Sequence, residues 1–309
     1  MPNDPIPAGN GATTFQDGSV MTGLRTAVRA HPVPWLVALS YAFAWALLVP
    51  AMLGARHLLP LTVPGFVLIF PLGYTPAAAA LLVAWLSDGR AGLREVAGML
   101  RRWRIPLRYY VAVVAAPPAL FLLGLGLGAT TGMRLGTFGT PWLIAAAFVV
   151  NLVLCAAVNG EEIAWRGVML PMLQTRMTAL RAGVLTGVVE AVFHLPLFLT
   201  PGTPQSRIPF SGFLLFSVAL AMLFTFVFNA TGGSLLAVTL LHGAVNASTN
   251  VLPVPSAGPV FWIIVLLTTA LAMLVTLGCR RGQLAGPPRY QWRGRGVHTE
   301  RADKPLEMA

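Results

Sequence analysis

Eight stretches of about 20 predominantly apolar residues run through the chain, at 33–53, 64–86, 109–129, 141–160, 183–200, 211–230, 232–250 and 258–279. That length is what an α-helix needs to cross the hydrocarbon layer of a bilayer, where only helices and closed barrels satisfy all their own backbone groups. Apolar residues make up 56% of the sequence and charged ones 10%, against roughly a quarter charged in soluble domains. The expected fold is therefore all-α, a polytopic transmembrane bundle of about eight spans. Pro117 and Pro118 in the third stretch and Pro196 in the fifth predict kinks.

The net charge of +11 is carried almost wholly by arginine. Nucleic acid is not the expected partner, because the arginines gather at 25–29, 90–108, 166–181 and 280–301, in the tails and alternate connections. The connections around 54–63, 130–140, 201–210 and 251–257 hold one arginine each at most. Under the positive-inside rule this predicts both termini inside. Residues 1–32 read as a disordered cytosolic tail, 33–279 as one transmembrane domain with a motif core at 159–250, and 280–309 as a basic disordered tail whose Arg280 and Arg281 face lipid headgroups. The start of the chain lacks the basic end and apolar centre of a cleavable signal peptide, so the first span is expected to act as an uncleaved anchor. Between Ser87 and Arg108, the spacing of Leu93, Val96, Met99 and Leu100 among arginines predicts a short amphipathic helix on the inner leaflet. Cys155 and Cys279 read as packing residues.

Against that apolar background, Glu161, Glu162, Glu190, His194 and His242 stand in or against spans, while every other acidic residue and histidine lies in a tail or polar connection. Ionisable groups at the centre of a bilayer cost at least about 2.5–3.5 kcal/mol, so a cluster of them marks a functional site. In Glu161-Glu162-Ile163-Ala164-Trp165-Arg166, Glu162 and Arg166 are four apart and share a helix face. Glu161 is rotated away by about 100° and lacks that partner, which makes it the better candidate for a general base. Counted from the basic ends at Gly183 and Thr231, His194 and His242 both reach about 16 Å into the bilayer, and Asn246 follows one turn after His242. A helix starting at Pro141 brings Glu161 about 30 Å along, to the membrane boundary, unless the segment starts later or tilts and continues to about Gln174. Ser234 and His242 lie about 12 Å apart along one helix, too far for a serine–histidine pair.

The order EExxxR, then a histidine in a later span, then HxxxN resembles the CAAX-protease and bacteriocin-processing family of intramembrane proteases, which includes the prenyl-protein endopeptidases and the bacterial Abi proteins. Gly160, Trp165-Arg166-Gly167, His194-Leu195-Pro196 and Thr231-Gly232-Gly233-Ser234 strengthen the likeness. The resemblance implies an endopeptidase in the plasma membrane of a bacterium, acting on hydrophobic or lipidated peptides or proteins, with peptide maturation and self-immunity as its settings. It implies that Glu161 activates a water, that Glu162 and Arg166 support it, and that His194, His242 and Asn246 bind water and the oxyanion. Glu161, His194 and His242, with Glu190 as a further ligand, would also make a zinc set, although no HExxH is present; a metal-independent glutamate mechanism is favoured.

One position departs from the family pattern. The family usually carries an aromatic residue four before the second-motif histidine, and this chain has Glu190 there. From one turn away it can hydrogen-bond His194, ligate a metal or face a water-filled vestibule. Two other classes fit the same buried cluster: a non-proteolytic immunity or binding scaffold, and a proton-coupled transporter relaying through Glu190, His194 and His242.

Overall fold

In the computed structural model the described residues are 17–60, 65–130, 132, 139–255, 258–279, 283–284 and 290–294. They form helices and connecting turns, with no strand among them. Each expected span has its helix: α2 (Pro32–Ala55), α3 (Gly65–Asp88), α5 (Leu107–Thr130), α6 (Pro141–Ala157), α9 (Ala179–Phe193), α11 (Phe210–Ala230), α12 (Leu235–Val251) and α13 (Pro259–Gly278). By length and apolarity α2, α5, α11 and α13 can each cross a membrane alone, and α6 joins the bent segment Glu161–Gln174 as a fifth. The predicted interfacial helix is α4 (Arg90–Leu100), which buries Val96 and Met99. α5 continues through Pro117 and Pro118 as one helix.

The fourth predicted span is broken. α6 ends at Ala157, and after Val158, Asn159 and Gly160 the chain restarts at a bend of 49° as α7 (Glu161–Ala164), a π-helical turn (Trp165–Met169) and α8 (Leu170–Gln174). The break is fixed by α3. A Cβ on Gly73 would lie 2.1 Å from the Val158 carbonyl oxygen, and a Cβ on Gly160 2.7 Å from the Gly73 oxygen, so only glycine permits this approach. Tyr74 donates its hydroxyl hydrogen to the Ala157 carbonyl (2.6 Å), satisfying an acceptor freed at the end of α6. The segment continues to Gln174, so the glutamates lie within a bent pair of helices and not at the far end of a single helix counted from Pro141.

Parts of the expected tails need correction; residues 1–16, 280–282 with Arg280 and Arg281, 285–289 and 295–309 lie outside the described residues. Residues 17–30 form a helix, α1 (Asp17–Ala30), whose Val28 is buried and whose Arg29 Nε donates to the Ser87 carbonyl at 2.7 Å. At the other end, Leu284 and residues 290–294 pack on the basic side of the bundle. Leu284 is fully buried and Trp292 nearly so. Trp292 donates its indole N–H to Asp88 (2.8 Å), and Gln174 donates to the Tyr290 carbonyl (2.7 Å). Two large apolar side chains anchor a segment whose polar composition predicts disorder.

The core lies where α3, the π-helical turn, α11 and α12 meet, around Ala80, Val83, Trp165, Val168, Phe224, Phe228, Leu235 and Val238. Polar groups inside this core must be partnered within the protein, because neither lipid nor packed side chains can do it.

Candidate active site

Glu161 and Glu162 open the helical segment that follows the break. At this end the first turn's N–H groups are free and the helix dipole favours negative charge. The π-helical turn follows at once; such turns insert one residue and recur at functional sites. Within it Arg166 is fully buried, and its Nη1 lies 3.0 Å from Glu162 Oε1. The ion pair expected from the spacing is present.

Glu190 supplies the second carboxylate of that guanidinium. Its Oε2 lies 2.8 Å from Arg166 Nη1, a close ion pair without the alignment of a hydrogen bond, and the guanidinium carbon sits 4.2 Å from the centroid of the Phe224 ring. Two buried carboxylates thus share one buried cation. Arg166 Nε and Nη2 and Glu162 Oε2 have no hydrogen-bond partner among the described residues. The odd residue of the motif pattern belongs to the arginine; toward His194 it offers its backbone carbonyl rather than its carboxylate.

Both imidazoles are held by the same nitrogen. His194 Nδ1 is 2.8 Å from the Glu190 carbonyl oxygen, and His242 Nδ1 is 2.7 Å from Glu162 Oε1. Each partner can only accept, so each Nδ1 carries the hydrogen and each Nε2 is left for other chemistry. His194 Nε2 faces Glu161 Oε2 at 3.9 Å, longer than a hydrogen bond, and that oxygen also receives the Trp165 indole N–H at 3.3 Å.

His194 is presented by a helix end. Pro196 has no N–H to continue the ladder and disfavours helical geometry before it, so α9 stops at Phe193 and a short turn, α10 (Leu195–Phe198), follows. From α2, Tyr41 donates to the Val189 carbonyl (2.6 Å) and Trp45 to the Phe193 carbonyl (3.0 Å), fixing that terminus. The equal depths counted from sequence need correction. The helices begin at Ala179 and Leu235, which puts His194 about 22 Å and His242 about 10 Å along them. Both residues nonetheless line one cavity.

Glu161, His194, His242 and Asn246 line one cavity of about 160 Å³, walled by Leu48, Leu72, Phe193 and Leu197. Glu162 and Arg166 stand behind it. Two polar residues of the lining, Cys155 and Asn159, are absent from the motif pattern. Asn246 also borders a second cavity of about 450 Å³, rich in Phe121, Phe213, Phe216 and Phe261.

The predicted zinc set is not the group that comes closest. Glu162, Glu190 and His242 have ligand-capable atoms within 4.8 Å of one another, but Arg166 contacts both carboxylates of that group. A divalent cation there would meet a guanidinium already in place, and the donor set does not fit a resident metal.

No curated protein matches the chain. Residues 140–248, which hold every site residue from Cys155 to Asn246, match the model of the type II CAAX prenyl endopeptidase Rce1-like family.

Proposed function

We propose that the protein is an intramembrane endopeptidase in which Glu161 activates a water against a peptide bond. The observation that carries this reading is the shared cavity, in which Glu161 Oε2, held by the Trp165 indole, lies 3.9 Å from His194 Nε2 with His242 and Asn246 alongside. One water between the Glu161 carboxylate and His194 would lose a proton to Glu161 as it attacks the substrate carbonyl. Asn246 and His242 would hold the developing oxyanion, His242 in its doubly protonated form with Glu162 as counter-ion. Glu161 would then return the proton to the leaving amine. No step in this scheme passes through a metal, and Arg166 already contacts Glu162 and Glu190, both carboxylates of the most closely grouped donors.

Glu162, Arg166 and Glu190 act behind the reacting atoms in this scheme, setting the position of His242. The aromatic cavity bordering Asn246 suits the hydrophobic or lipidated part of a membrane-associated substrate. The placement of the arginines supports an orientation with both termini inside, and the resemblance to the CAAX-protease and bacteriocin-processing family implies a bacterial plasma membrane. Maturation of short hydrophobic peptides, or self-immunity, would use the same chemistry.

The test is cleavage of a library of membrane-tethered peptides by the purified chain in lipid nanodiscs, with new termini read by mass spectrometry. Wild type should generate them and Glu161→Ala should not; equal activity in the two contradicts the reading.

A further inference from the structure

Asn159 lies in the break between α6 and α7, two residues before Glu161, and is one of the residues that line the same cavity. Around it Arg166 Nε and Nη2 and Glu162 Oε2 also lack hydrogen bonds among the described residues, but those groups keep an ion pair, whereas the Asn159 amide has neither. Oδ1 and Nδ2 are both buried, and neither has a hydrogen-bond partner among the described residues. Its neighbours are provided for: Glu162 has Arg166 and His242, and Glu161 has Trp165. An unpaired buried amide is costly. A site that retains one beside a candidate base points it at something that binds there.

A primary amide offers one donor and one acceptor side by side. In an extended peptide the N–H and C=O of a single residue point to the same side of the chain, with matching spacing and opposite polarity. We infer that Asn159 binds the substrate's backbone, pairing both amide atoms with one extended residue next to the scissile bond. This rests on the endopeptidase reading and adds to it a substrate held by its main chain. The contact ignores side-chain identity, so Asn159 fixes the register of the peptide over Glu161 and leaves side-chain preference to the apolar walls.

The experiment is a cycle between protein and substrate. Wild type, Asn159→Leu and Asn159→Ala in nanodiscs are assayed on the best peptide of the tethered library and on versions N-methylated at each residue flanking the cleavage site. The side-chain changes should lower kcat/KM about 10- to 100-fold, and one N-methylation should lower it by a similar factor in wild type. Combining the two should cost little more than either alone. Both variants should be at least as thermally stable as wild type without substrate, because each removes a buried group with no partner; a group placed for the fold would lower Tm. Full activity in both variants, losses that multiply at every N-methylated position, or a fall in Tm or folded yield in both would overturn the inference. Glu161→Ala separates the two proposals: if it is inactive while the Asn159 variants cleave normally, only the Asn159 role fails; if it is active, the base role of Glu161 fails and the Asn159 cycle still decides the substrate contact; and if wild type cleaves no tethered peptide, the endopeptidase reading fails and takes this one with it.

Discussion

Arg166 holds Glu190 at 2.8 Å across 24 residues of sequence, on the same nitrogen that holds Glu162 at 3.0 Å. The pair joins the π-helical turn to α9, and it accounts for an acidic residue where the motif pattern has an aromatic one. Next to a fully buried guanidinium, a second carboxylate adds compensation that a phenyl ring cannot supply.

Removing the arginine should therefore be worse than removing either acid. Arg166→Met would leave Glu162 and Glu190 buried together without a cation, at a cost of about 3–5 kcal/mol. Glu190→Gln leaves Arg166 paired with Glu162 and should cost less, about 1–3 kcal/mol. The double variant should recover part of the loss in Arg166→Met, because one of the two stranded charges is gone. Thermal unfolding of the three variants in nanodiscs checks this order, and additive losses would contradict it.

Cys155 places a thiol in the wall of the cavity that holds Glu161 and His194. Small, membrane-permeant alkylating reagents should inactivate the protein through Cys155, and bound peptide should slow the reaction. Cys155→Ser should be resistant, while Cys279→Ser should remain as sensitive as wild type. Peptide mapping showing complete modification of Cys155 in a fully active sample would rule out this placement of the cavity.

On the basic side, outside the spans, Glu95 accepts the Arg293 backbone N–H at 2.8 and 3.0 Å and lies near the Tyr290 hydroxyl. Burial pushes its carboxyl above the ordinary value of 4.5, with the Arg293 contacts only partly opposing, and burial pushes the Tyr290 hydroxyl up to about 12. A carboxyl whose folded value is raised binds more protons when folded, so its contribution to stability falls as pH rises from its unfolded value through its folded one, and stays reduced above that. Glu95→Gln should match wild type at pH 4 and become the more stable of the two towards pH 7. Thermal unfolding across that range tests the sign; a Glu95→Gln protein less stable than wild type at pH 7 would show the Arg293 contacts to dominate.

The features legible in the sequence are those set within one element. Continuous apolar runs gave the helices, and the fourfold spacing of Glu162 and Arg166 gave their ion pair. Apart from the grouping of Glu161, His194, His242 and Asn246, which the motif order implied, features set between elements were not legible. The break at 158–160 follows an apolar run and depends on the approach of Gly73 from α3, to which no local pattern points. The Glu190–Arg166 pair depends on how α9 lies against the π-helical turn. Polar composition concealed the docking of Leu284 and Trp292, because two anchors suffice where the bundle offers acceptors such as Asp88. Asn159 carries a signal that could have found it: a polar residue at the end of an apolar run, beside the two glutamates.

The central claim is that Glu161 activates the attacking water. Single-turnover cleavage of a tethered peptide by Glu161→Gln, with peptide binding measured separately, tests it most directly, since glutamine keeps the shape and loses the base. The account predicts a rate at least about 1,000-fold below wild type with binding changed less than about threefold, as when a group acts only in the transition state. A Glu161→Gln protein that cleaves within about threefold of the wild-type rate would contradict it.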